Sequence, residues 1–238
     1  MIALIDYGSG NLRSVFNALQ HEGADVQLVS KPGPLDRASA IVLPGVGAFG
    51  DCARGIEARG LWAPLQQWLA ADRPFLGICV GYQLLFDDSE ETPGVSGFGF
   101  FRGRVKKFTT AGLKIPQIGW NSLDLSPHPL WAGLPAHPHV YFVHSYFPAP
   151  DDENEITARA TYGETFAASA ARGRVAGTQF HPEKSQAIGL GILRNFIREV
   201  GYPAIGVSHK CACCDDAFHE VLVLCLVNLI VEFLPGSV

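Results

Sequence analysis

Apolar residues follow two different rhythms along this chain. In the first third, short apolar runs cover Ile2–Ile5, Val26–Val29 (interrupted by Gln27), Ala40–Leu43 and Phe75–Ile78. Runs of four to six apolar residues bounded by Gly, Pro or Asp predict strands buried on both faces. Between the first two, Leu12, Val15, Phe16 and Leu19 recur at i, i+3, i+4 and i+7, one face of a helix that Gly23 ends. Lys31–Pro34 reads as a loop. Helical patterns over about 51–58 and 61–71 lead to the fourth strand, and Val80–Phe86 reads as the start of another helix. Strands alternating with helices through short loops predict a parallel α/β sheet covered on both faces.

After residue 93 the rhythm changes. Gly-rich and aromatic strands are predicted over 98–108, 116–123, 139–147, 156–161, 165–170 and 174–180. Helical texture is nearly absent there, so this half adds antiparallel strands. A last helix presents Ile188, Ile192, Leu193, Phe196 and Ile197 on one face. No internal repeat is visible. The fold class is therefore α/β, a central, mostly parallel sheet flanked by helices with added antiparallel strands.

Composition narrows the function. At 238 residues with 47% apolar content, the chain suits one large domain, or one domain with an appendage. A net charge of −5 lacks the basic footprint of a nucleic-acid binder. The opening residues, Met1–Asp6, read as a strand and lack the charged region and cleavage site of a signal peptide. Of the six cysteines, only Cys52 and Cys79 precede residue 211. That sparseness suits a reducing cytoplasm and argues against a disulfide framework.

Cys79 sits where a buried strand turns into a helix, with Gly77 and Gly81 two residues away on either side. This is the layout of a nucleophile elbow with Cys in place of Ser. Flanking side chains would clash in so tight a turn, and the helix start favours thiolate. Taken alone, a buried inert cysteine beside two glycines is an equal reading. A cysteine nucleophile needs an imidazole partner, and the imidazole needs an orienting group. Among the eight histidines, His181 stands out: it closes the apolar run Val175–Phe180, and Glu183 follows across Pro182. Alone, His-Pro-Glu would be a surface turn. Together with the elbow, it points to a Cys79–His181–Glu183 triad. Pro44-Gly45-Val46-Gly47 leaves the third strand at the same sheet edge. Its two glycines let backbone N–H approach a reacting carbonyl, beside the N–H of Val80. By itself this is an ordinary strand-to-helix loop. Gly8-x-Gly10 is no dinucleotide fingerprint, because Arg13 stands where the third glycine belongs.

The combination Gly77-x-Cys79-x-Gly81-x-Gln83 with His181-Pro-Glu183 resembles the class I, triad-type glutamine amidotransferases over about residues 5–202. Five further segments resemble the glutaminase subunits of imidazole glycerol phosphate synthase, a branch serving histidine biosynthesis. They begin at Asp6, Pro44, Pro116, Tyr141 and His181. Val80 and Tyr82 depart from the branch's usual Leu and Met or His, changing side chains but neither the backbone donor nor Cys79.

The resemblance implies L-glutamine as substrate and no cofactor or metal. Cys79 would attack, Val80 and the Val46–Gly47 segment would receive oxyanion charge, His181 would move protons and Glu183 would orient it. Gln83, with backbone around Gly47, Ser145 and Tyr146, would hold the α-substituents of glutamine. Otherwise Gln83 is a helix-surface residue, and Ser145 and Tyr146 are a plain strand end. Free ammonia in water becomes ammonium, so the resemblance also implies direct transfer to a partner. That partner is a (β/α)8-barrel cyclase subunit in a heterodimer, without nucleic acid or membrane. Asn11, Trp120, Tyr141 and Lys184 match its docking contacts, although Trp120 and Tyr141 could be core, Asn11 a helix N-cap and Lys184 a solvated charge. The alternatives are a class I glutaminase serving an anthranilate or pyridoxal-phosphate type of synthase, or a non-catalytic module on the same fold.

The likeness ends near Tyr202, giving a domain over 1–202 and an extension over 203–238. The apolar stretch Val221–Leu234 is short of the roughly 20 residues that span a membrane. His209, Cys211, Cys213, Cys214 and His219 lack the usual zinc-ligand spacing, so no metal is expected there.

Overall fold

A computed structural model of the chain describes residues 1–8, 10–110 and 112–201. The extension over 203–238, with its Cys and His cluster, lies outside the described residues. The four early apolar runs form β1 (Ile2–Ile5), β2 (Val26–Val29), β3 (Ala40–Gly45) and β4 (Phe75–Cys79). Three helices connect them: α1 (Leu12–His21), α2 (Phe49–Ala58) and α3 (Trp62–Ala70). Gly33–Arg37, which overlaps the expected loop and runs past it, forms a short 3-10 turn. Every residue of β1, β3 and β4 is buried, which is why those runs show no polar alternation.

Downstream come α4 (Val80–Gln83), β5 (Asp88–Ser89), β6 (Gly103–Lys107), β7 (Gln117–Ser122), β8 (Asp124–Leu125), β9 (His139–His144) and β10 (Tyr146–Pro150). The described chain closes with β11 (Ile156–Tyr162), β12 (Glu164–Arg172), β13 (Val175–Thr178) and α5 (Gln186–Glu199). The main sheet has eight strands in the order β2-β1-β3-β4-β13-β12-β11-β8. The first five are parallel and the last three antiparallel. The expected architecture is thus present. Register places Cys79 opposite Gly45 on one side. On the other side Thr178 pairs with Ile78, so the residues after β13 leave the sheet level with Cys79. All of these segments exit at the carboxyl edge, where open parallel sheets carry their sites.

Two departures from the sequence reading share one cause. The helix after Cys79 stops at Gln83 rather than Phe86, and strand structure begins at Gly103 rather than 98. The carbonyls of Leu84, Leu85 and Phe86 accept hydrogen bonds from the N–H groups of Phe98, Phe101 and Gly99. The two stretches satisfy each other, so neither extends its own regular element. A third departure is a break in the strand expected over 139–147. β9 pairs with β7 in a two-stranded ribbon, whereas β10 joins a separate sheet with β6 and β5, and Ser145 is where the chain changes sheets.

Candidate active site

The elbow is built by close backbone approach. A Cβ on Gly81 would lie 1.9 Å from the Leu43 carbonyl oxygen, and one on Gly77 would lie 2.6 Å from the Gly81 oxygen. Neither position accepts a side chain without moving backbone. Cys79 itself has φ of 55°, a left-handed conformation costly for a non-glycine residue. The sharp turn places the sulfur at the sheet edge, at the start of a single-turn helix.

His181 and Glu183 arrive from β13. His181 Nδ1 lies 2.8 Å from Glu183 Oε1, and both side chains are buried. The carboxylate accepts from Nδ1–H, which directs Nε2 away from it. Nε2 is buried without a well-formed hydrogen bond. Burial by itself would drive the imidazolium down. The Glu183 carboxylate and then the Cys79 sulfur outweigh it, so His181 is held up, to about 10. Burial would likewise raise Glu183, but His181 dominates and keeps it below the ordinary carboxylate range. The arrangement can hold a thiolate beside an imidazolium, a nucleophile together with the acid needed by a leaving amine.

The turn carrying these residues is strapped to β9. The His181 N–H donates to the Tyr141 carbonyl at 3.0 Å, and the Tyr141 N–H donates to Ser185 Oγ at 3.0 Å. The Ser185 hydroxyl in turn donates to the His181 carbonyl at 2.7 Å.

On the other flank, the Tyr7 hydroxyl donates to the Pro44 carbonyl at 3.0 Å, and the Cys52 thiol donates to that of Val46 at 3.5 Å. Burial raises the pKa of both donors, Cys52 to about 11, so both keep their protons. Glu91 accepts from the Phe49 N–H at 2.7 Å where the segment enters α2. Gly47, at φ 96°, holds a conformation suited to glycine. Val80 occupies the first position of α4, where a backbone N–H has no acceptor within the helix. Tyr7, Cys52 and Glu91 were not singled out from sequence, because only folding brings them to residues 44–49.

Gln83 is not a surface residue. It is buried, and its Nε2 donates to the Tyr146 carbonyl and to Gln179 Oε1, both at 3.1 Å. Tyr146 therefore faces the site through its backbone, beside Ser145, whose carbonyl accepts from the Phe108 N–H.

Of the four docking candidates, Asn11 stands at the start of α1 but makes no capping bond; its Nδ2 donates to Glu183 Oε1 at 3.4 Å. Trp120 is 47% exposed, so it is not core. It meets Tyr141 edge to face with ring centroids 6.1 Å apart, the two being paired across β7 and β9. Lys184 ends the turn after His181 and helps keep Glu183 charged. Ile118, also missed, is 55% exposed two residues before Trp120. Its signal was the spacing: alternate residues of a strand share a face.

Among the described residues, no group of three His, Cys, Asp or Glu side chains is arranged to hold a metal ion. Among them, no helix is long and apolar enough to cross a membrane.

Comparison with known proteins supplies the family. The model for "Glutamine amidotransferase class-I" matches residues 3–200. An imidazole glycerol phosphate synthase subunit HisH from Microcystis aeruginosa is 47% identical over 204 residues, covering 84% of this chain and 96% of that protein. One from Mesorhizobium japonicum is 48% identical over 211 residues, covering 83% of this chain and 98% of that one. The chloroplastic imidazole glycerol phosphate synthase hisHF of Arabidopsis thaliana is 44% identical over 213 residues, which are 88% of this chain and 35% of the longer protein. A crystal structure of a glutamine amidotransferase shares the fold, with TM-score 0.68 at 20% identity over 85% of this chain and all of that one. A family model spanning nearly all of the described residues and near-half identity to full-length relatives agree: this chain belongs to the class I glutamine amidotransferases.

Proposed function

We propose that this chain is the glutaminase subunit of imidazole glycerol phosphate synthase, acting in histidine biosynthesis. The observation that carries the reading is the His181–Glu183 pair, locked at 2.8 Å beside the Cys79 elbow. Cys79 thiolate attacks the side-chain carbonyl carbon of L-glutamine, and the oxyanion is received by the N–H groups of Val80 and the Val46–Gly47 segment. The C–N bond breaks as the His181 imidazolium protonates the departing nitrogen. His181 then takes a proton from water, which attacks the thioester and releases glutamate. Glu183 keeps the imidazole oriented throughout. Gln83 commits its Nε2 to the protein and offers Oε1 to the α-ammonium of the substrate, with Ser145, Tyr146 and Gly47 backbone completing the pocket.

Ammonia passes to a (β/α)8-barrel cyclase bound as a heterodimer partner, in a reducing cytoplasm. The apolar outer face of the β7–β9 ribbon, with Ile118, Trp120 and Tyr141, supports this docking surface, with Asn11 and Lys184 beside it. Asn11 links that surface to the Glu183 carboxylate, and the Tyr141 backbone links it to the His181 turn. The glycine-hinged 44–47 segment supports a further expectation, that the subunit alone is nearly inactive and docking aims its oxyanion donor.

The test is Cys79→Ala in the complex with the cyclase. Glutamine-dependent synthesis should fall at least ~10³-fold while synthesis from added ammonia persists. Loss of both activities would mean the coupling to the partner is misread. Activation by an anthranilate or pyridoxal-phosphate synthase, but not by the cyclase, would assign the chain to another pathway.

A further inference from the structure

Gln179 leaves β13 two residues before His181 and is fully buried. The β13–β4 register sets it level with Cys79. Its Nε2 lies 3.7 Å from the Cys79 sulfur, longer than an N–H···O bond because sulfur is the larger atom.

An amide can present nitrogen or oxygen to its neighbour, and here the surroundings settle which. The Tyr146 carbonyl can only accept. The Gln83 atom 3.1 Å from it is therefore nitrogen, and that nitrogen also lies 3.1 Å from Gln179. Gln179 must answer with its oxygen, which turns its own nitrogen to the sulfur. The carbonyl at the head of this relay is pinned a second time. His144 Nδ1 lies 2.8 Å from it, and burial pushes the His144 imidazole down to about 4, so the ring is neutral and Nδ1 carries the donated proton. The four groups form one fixed sequence: carbonyl, Gln83, Gln179, sulfur.

We infer that Gln179 is a further catalytic residue. Its side-chain N–H holds the Cys79 sulfur as thiolate, and Gln83 fixes its orientation. A donor aimed at a sulfur anion in a buried site favours the anion over the thiol. The same relay ties substrate binding to the nucleophile, because Gln83 both faces the glutamine site and sets Gln179. The inference rests on reading Cys79 as the nucleophile. The other titratable groups acting at Cys79 are His181, with Glu183 behind it, and the buried Tyr7 and Cys52. Burial keeps Tyr7 and Cys52 protonated near neutral pH.

The test measures iodoacetamide labelling of Cys79 in the full chain against pH, with peptide mass spectrometry separating Cys79 from the other cysteines. In Gln179→Met the labelling midpoint should move up by about one pH unit. Glutamine turnover in the cyclase complex should fall roughly tenfold near neutral pH. Gln83→Met frees Gln179 to turn its oxygen toward the sulfur, so its midpoint should also rise, and the double variant should add nothing beyond Gln179→Met. An unshifted midpoint in either variant, with its thermal transition intact, overturns the inference. If Gln179→Met does not fold, Gln83→Met decides alone. Wild-type Cys79 that resists labelling at every pH would overturn the nucleophile reading instead.

Discussion

The elbow around Cys79 and the ribbon of β7 and β9 are both parts of the candidate machinery, and they are built in opposite ways. The elbow is closed. Gly77 and Gly81 let backbone touch backbone, and the Cys79, Gln179 and Gln83 side chains are buried and linked. The ribbon has one closed face and one open face. Inward, Gln117 and His144 are buried, with the Gln117 side-chain amide 3.0 Å from His144 Nε2; because that nitrogen carries no proton, the amide turns its N–H to it. Outward, Ile118 and Trp120 show apolar surface to solvent. Under the proposed function, this exposed apolar face is the one the partner covers. A site that does chemistry must fix its atoms before substrate arrives, whereas a docking face is completed only by what binds it.

The comparison breaks most sharply at Gly81. Gly81→Ala would press a methyl group into the Leu43 carbonyl at 1.9 Å, so stability in urea should fall by about 3 kcal/mol or more, with loss of Cys79 labelling. An alanine variant of wild-type stability would mean that the elbow is looser than drawn. The ribbon's outer face should respond in the other currency. Trp120→Ala should leave the thermal transition nearly unchanged while weakening cyclase binding about 30-fold, roughly 2 kcal/mol, by calorimetric titration. A destabilised subunit with unchanged affinity would make Trp120 structural.

The inner face should respond to acid. Burial holds His144 at about 4, below its ordinary 6.5, so the folded state binds its proton more weakly than the unfolded chain does. The stability this neutral histidine contributes is present above pH 6.5 and is lost as pH falls through 4. Between pH 7 and pH 5 the wild type should therefore lose somewhat under 2 kcal/mol through this group. In His144→Gln the drop should be smaller by that amount. His181, held up rather than down, has the opposite sign and is common to both proteins, so the difference isolates His144. Equal pH slopes would place His144 outside the folded-state titration.

Much of this was legible in the chain itself. Strands β1, β3 and β4 followed from apolar runs, because strands buried on both faces must be apolar throughout, whereas β2 lies at the sheet edge with Gln27 and Leu28 exposed. The elbow and the His-Pro-Glu turn were legible because their geometry is local: glycine two residues either side of Cys79, and a carboxylate two residues after His181. The short helix ending at Gln83 and the irregular Phe98–Phe101 stretch were not legible. Each takes its hydrogen bonds from the other, and a local pattern does not reveal partners 13 to 16 residues away. Asn11 read as a docking contact or, more plainly, as a cap before α1, but its side chain makes no capping bond and reaches Glu183, 172 residues on. Gln179 did leave a trace, a lone amide closing an apolar strand, yet the sequence offered no sulfur for it.

By itself, the sequence determined the chemical groups, their order along the chain and the edge of the sheet at which they emerge. Those properties depend on nearest neighbours and on the alternation of apolar and polar residues. Only the tertiary structure decided which groups meet. Strand register set Gln179 level with Cys79, sheet pairing turned Ile118 and Trp120 outward, and the fold carried Tyr7 and Cys52 to the Pro44–Gly47 segment. Contacts of that kind depend on long-range packing, in which one residue's shift in register would exchange every partner.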